Sequence, residues 1–161
     1  MSKILLIIPP GVRPDASARY AVDAARREGA ALVAVVVLDQ AETARIAATL
    51  DGAFMGERVS DRVVEILAHE QHARAETLLE GIGEQARAAG VEFEPLIEEG
   101  DPTAVCSRVV QRYQIGAAVL AVGRRSWLAR FLSRSANVKL PTVAGCDVKV
   151  IEEEDAGEPG R

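Results

Sequence analysis

Hydrophobic and polar residues fall into blocks with two different rhythms. Lys3–Ile8 (KILLII) and Ala30–Leu38 (AALVAVVVL) are nearly unbroken apolar runs. Runs of this length without alternation fit strands buried on both faces, as in a parallel sheet. Pro9-Pro10-Gly11 stops the first run. Asp15 then offers an N-cap for a helix over Ala16–Glu28, in which Tyr20/Ala24 and Ala21/Ala25 are spaced four apart and Gly29 closes the last turn. Strand, helix and strand in this order predict a right-handed crossover between parallel strands.

The rest of the chain continues the alternation. Ala41–Leu50 predicts a short helix ended by Asp51-Gly52. Val59–Ala89 predicts a long one, with a stripe of Val64, Leu67, Ala75, Leu78, Ile82, Ala86 and Ala89. Gly81 and Gly83 lie inside it, where glycine weakens a helix. Val91–Ile97 alternates, and Pro95 disfavours a fully paired central position. Asp101 can cap a helix that starts at Pro102 and runs to about Tyr113, burying Val105, Val109 and Val110. Ala117–Val122 reads as another strand buried on both faces. Ser126–Lys139 reads as an interrupted helix, and Asp147–Glu152 as a last strand. The expected architecture is α/β, a three-layer sandwich around a five-stranded, mainly parallel sheet. One domain over residues 1–152 is expected, with 153–161 as a disordered acidic tail.

Composition narrows the function classes. The chain has 161 residues, 48% of them hydrophobic and 27% charged, which excludes a disordered chain. The longest apolar run is too short to span a membrane, and the N-terminus lacks a signal-peptide pattern. Two cysteines, Cys106 and Cys146, provide neither a disulfide framework nor a metal spacing. These features predict a soluble, cytoplasmic protein without membrane partners. The net charge of −5 argues against general nucleic-acid binding. The average hides a split. Between Pro102 and Cys146 stand seven basic residues (Arg108, Arg112, Arg124, Arg125, Arg130, Arg134 and Lys139) and no acidic one, leaving 12 basic and 24 acidic residues elsewhere.

The chain resembles the universal stress protein family over roughly Lys3–Glu152. Beyond the first strand, the resemblance is carried by Arg26-Arg27-Glu28-Gly29-Ala30, Ala86-Arg87-Ala88-Ala89-Gly90-Val91, the Glu99-Gly100-Asp101-Pro102 junction, and Arg125-Ser126 followed by Leu128 and Arg130. It implies the family's fold, described as adenine nucleotide alpha hydrolase-like. It also implies a homodimer joined through the C-terminal strand and a stress-response or regulatory role rather than catalysis. Many members bind ATP through G-x2-G-x9-G-(S/T) after the fourth strand. Here Ala121, Arg124, Arg134 and Ser135 occupy those positions, so the three glycines are replaced and only the serine remains. ATP-binding members usually carry an aspartate after the first strand, where this chain has Pro9-Pro10-Gly11. The sequence therefore resembles the members with a degenerate ATP motif.

Two functional readings follow. The first is an interaction module with unknown protein partners and no expected cofactor. The second is a phosphate-anion or adenine-nucleotide (ATP or AMP) site built from arginines, which hold phosphates by paired hydrogen bonds without a glycine loop. Its candidate residues are Pro10, Gly11, Leu38, Gly123, Arg124, Arg125, Ser126, Arg134 and Ser135. The plain alternative for the arginines is a solvated or partner-facing surface. Trp127 either packs on the core, covers the cleft or stacks on a base. His69 and His72 share a polar helix face with Glu65 and Glu76, which reads as a solvated surface rather than a metal site. No nucleophile–base–acid set is visible, and the basic stretch has no carboxylate to hold a metal-bound nucleotide. No enzymatic activity is therefore expected.

Overall fold

The computed structural model describes residues 2–9, 11–38, 44, 48–49, 57–123, 142–143 and 146–153. In chain order these form β1 (Lys3–Ile8), α1 (Asp15–Glu28), β2 (Ala31–Leu38), α2 (Glu57–Ala88), β3 (Phe93–Glu99), α3 (Pro102–Tyr113), β4 (Ala117–Gly123), β5 (Thr142–Val143) and β6 (Cys146–Glu153). The sheet order is β3-β2-β1-β4-β6-β5. The first five strands in that order run parallel, as expected. The two-residue β5 adds an antiparallel rung on β6.

The apolar runs become strands for the reason their pattern gives. All eight residues of β2 are buried, and all but Lys3 of β1. Alternate residues feed two separate cores. Ile4, Leu6 and Ile8 pack with Leu32, Ala34 and Val36 under α1 and α2. Leu5 and Ile7 pack with Val33, Val35 and Val37 under α3. The sheet is thus covered on both faces, as a parallel sheet requires.

The three described helices match in place and differ in detail. On α2 the buried positions are Ala75, Leu79, Ile82 and Ala86, while Leu78 is only partly buried. Leu78 and Leu79 are adjacent, so sequence spacing alone did not single out the residue on the core-facing row. On α1, Ala21 and Ala25 are buried, but Tyr20 is exposed and its ring stacks 5.3 Å from the Lys149 ammonium of β6. The Asp101 expectation holds: its carboxylate accepts the Ala104 N–H at 3.0 Å, with Pro102 opening α3. The Asp15 expectation does not. Asp15 is the first helical residue, and no side chain of the preceding residue caps α1. The expected helix over Ser126–Lys139 lies outside the described residues, and so does the expected tail over 153–161 except for its first residue: Glu153 ends β6 and is buried. The expected Ala41–Leu50 helix also lies outside them, apart from helical Ala44, Ala48 and Thr49.

Candidate functional site at the carboxyl edge of the sheet

In an open parallel sheet ligands bind beyond the carboxyl ends of the strands, where the strand order reverses. Here the order reverses between β1 and β4, which are direct neighbours. The residues at this edge are Ile8 from β1 with Pro9 just after it, Leu38 from β2, Gly123 from β4 and Glu153 from β6. Among the expected site residues, Gly11, Leu38 and Gly123 fall here. Gly11 stands in a turn with φ of 75°, which glycine adopts without strain, and the turn is closed by the Val12 N–H on the Pro9 carbonyl at 3.4 Å. Leu38 is buried, and its carbonyl accepts the Gly100 N–H at 3.2 Å. Gly123 is buried and stands opposite Glu153 in the β4–β6 register. Pro10, Arg124, Arg125, Ser126, Arg134 and Ser135, together with Trp127, lie outside the described residues.

Glu153 is the site residue that sequence reasoning missed. It is 5% exposed, and both carboxylate oxygens accept the Ala16 N–H, each at 3.0 Å. It caps α1 from 137 residues away, in place of the expected Asp15. Asp15 instead lies exposed beside Arg13, at 4.0 Å. A helix N-terminus presents unpaired N–H groups and a partial positive charge, so a carboxylate fits there. Burial pushes the Glu153 carboxyl above its ordinary range. The backbone N–H groups of the first turn pull it down, and the neighbouring Asp15 charge adds to the upward push. Ser17 in the same turn is fully buried, and its hydroxyl meets no partner among the described residues. No local signal announces this cap, because a single glutamate after a strand looks like the beginning of a polar tail.

His72 pairs with Glu76 at 3.1 Å on an exposed face of α2, and no group of three or more metal-binding side chains occurs among the described residues. Cys106 and Cys146 are free and buried in the α3-side core. Burial, with the Asp101 charge behind it, raises the Cys106 thiol to about 11, and burial with Asp147 raises Cys146. Neither is an activated thiolate. Within the basic stretch, Arg108 pairs with Glu98 at 3.4 Å and Arg112 lies over the Tyr113 ring at 5.6 Å. Both therefore meet partners on the α3 side of the molecule. Among the described residues no helix is long and apolar enough to cross a membrane.

No family model and no curated protein matches the chain. Solved structures do. A universal stress protein family protein from Burkholderia pseudomallei superposes with a TM-score of 0.64 at 19% identity, over 93% of this chain and 95% of that one. The universal stress protein UspA from Lactobacillus plantarum gives a TM-score of 0.64 at 20% identity, over 95% and 97%. A universal stress protein family protein from Arabidopsis thaliana with AMP bound gives a TM-score of 0.54 at 14% identity, over 96% and 93%. At these identities the likeness is one of fold, and it extends over nearly the full length of each chain. The chain has the fold of the universal stress proteins.

Proposed function

We propose that the chain is a stress-response or regulatory protein of the universal stress type, a cytoplasmic homodimeric interaction module without a conventional ATP site and without enzymatic activity. The observation that carries this reading is the state of β6. It pairs with β4 over seven residues, but on its other side β5 meets only Cys146 and Asp147. From Val148 onward no further strand pairs with it among the described residues, and Val150 is 41% exposed. A half-paired strand in which Val148 and Val150 alternate with charged residues suits pairing across a two-fold axis. The loss of all three motif glycines, and a β1 end that runs into Pro9 rather than an aspartate, support the absence of a conventional ATP site. Native mass spectrometry tests both parts. A dimer without added mass, converted to monomer by Val150→Glu, is the expected result. A monomer overturns the dimer, and a nucleotide-sized added mass per chain overturns the second part.

One observation favours the nucleotide alternative: the AMP-bound structure from Arabidopsis thaliana shares this fold. In that reading the arginines replace the glycine loop. Arg124→Glu combined with Arg125→Glu then abolishes AMP or phosphate binding, and the reading fails if the measured affinity does not change.

A further inference from the structure

A groove runs along the other end of the sheet, between α2 and β3. Its volume is about 650 Å³, and it is open to solvent. Its floor is apolar: Leu79 from α2 with Phe93, Pro95 and Ile97 from β3. The Phe93 ring lies against Gly83, where an added Cβ would stand 3.1 Å from the ring. Its wall is acidic. Glu76, Glu80 and Glu84 succeed one another at one-turn spacing along α2, and Arg87 stands at the helix C-terminal end of the groove.

The backbone of β3 completes this surface. The Leu32 N–H donates to the Glu92 carbonyl at 2.8 Å, and the Gly100 N–H donates to the Leu38 carbonyl at 3.2 Å. With the β2–β3 register, these two bonds make the even-numbered residues of β3 the ones whose backbone faces β2. Phe93, Pro95 and Ile97 therefore direct their backbone groups outward, along an edge where no further strand pairs among the described residues. Pro95 has no N–H to waste there, which is why an edge strand tolerates it. Phe93 and Ile97 each offer a donor and an acceptor, and Pro95 offers an acceptor.

We propose that this edge binds an extended, basic protein segment by strand addition. The segment pairs with β3 beyond its outer edge. Lysine or arginine at every second position lays its stem over Leu79 and Phe93 and its charge on Glu76, Glu80 and Glu84, and aliphatic residues stand between. Charge selects this occupant over a second copy of the same edge, because two such edges would set the three glutamates of one against those of the other. The proposal deepens the interaction reading above, on which it rests for the partner being a protein. It does not depend on the β6 dimer, which lies across the sheet.

The probe is a fluorescein-labelled, acetylated and amidated peptide, Lys-Val-Lys-Val-Arg-Val-Lys, titrated against the full chain by anisotropy. Two further peptides carry N-methyl groups on one or the other alternating set of amides. Saturable binding is expected, lost with one methylated set and kept with the other, because only one set faces β3. Glu80→Lys combined with Glu84→Lys weakens binding by about tenfold or more. In hydrogen exchange the Phe93 and Ile97 amides slow when the peptide is added. Absence of saturable binding overturns the proposal. Equal binding of both methylated peptides overturns it too, as charge attraction without strand addition, and so does an affinity unmoved by the double charge reversal, since the glutamates then do not hold the segment. The native-mass measurement reads the other end of the sheet, so failure of the dimer and failure of this groove are told apart.

Discussion

At one end of the sheet β3 meets solvent with a proline, an acidic groove and half of its backbone groups turned outward. At the other, β6 is tied back into the molecule: Lys149 lies over Tyr20, and Glu153 holds the start of α1. Both are ends of the same sheet, and both expose strand edges that could recruit another chain. The β3 end limits unwanted pairing with charge and Pro95, and it spends no long-range contact on doing so. The β6 end carries tertiary structure on its inner face, while on its outer side no strand pairs beyond Asp147 among the described residues. Strand edges are thus finished separately, and each finish leaves a surface with its own chemistry.

The contrast is broken most directly at Glu153. Glu153→Ala removes a buried cap and leaves first-turn N–H groups unpaired, so urea denaturation should show a loss of about 1–3 kcal/mol. Glu94→Ala, an exposed carboxylate at the β3 end, should stay within about 0.5 kcal/mol. Equal losses would erase the distinction between the two ends.

A matched pair of helix substitutions sharpens the β3 side. Gly81 and Gly83 are both on α2, yet a Cβ at Gly81 meets nothing within 4 Å, whereas one at Gly83 meets the Phe93 ring. Gly81→Ala should stabilise by about 0.5–1 kcal/mol through helix propensity alone. Gly83→Ala should forfeit that gain because the ring must give way, and thermal unfolding of the two variants side by side checks the difference. Identical gains would mean that Phe93 yields freely and that the groove floor is not held by that contact.

The smallest expected effect is in pH. The Glu153 carboxyl is raised above its ordinary value of 4.5. The folded chain therefore holds this proton more tightly than the unfolded chain, and stability falls as pH rises from that ordinary value through the folded one. Wild type should gain stability relative to Glu153→Gln as pH drops from neutral toward 4.5, read from denaturation midpoints at both pH values. A constant difference would mean that the helix N–H groups fully offset the cost of burial.

These residues also mark how far the sequence could be read. β1, β2 and β4 were legible because strands buried on both faces leave uninterrupted apolar runs. Pro95 announced an edge strand, and Asp101-Pro102 a helix start, because both act through neighbouring backbone. Gly11, Leu38 and Gly123 fell at the carboxyl edge because the βα alternation alone dictates which loops gather there. Glu153 stayed hidden because its partner is remote, and a cap of that kind has no local signature. Leu79 was passed over for Leu78 because a leucine pair does not reveal which member the helix turns inward. The two-residue β5 is too short to produce any rhythm at all.

The Glu153 bond carries one more consequence. A ribosome releases α1 well before the carboxylate that finishes its first turn, which is 137 residues downstream of Ala16. Throughout synthesis the helix start must be served by water, and only the arrival of the last strand replaces it. The arrival of β6 is therefore recorded at the start of α1, and a nascent chain halted before Glu153 is left with an open helix end.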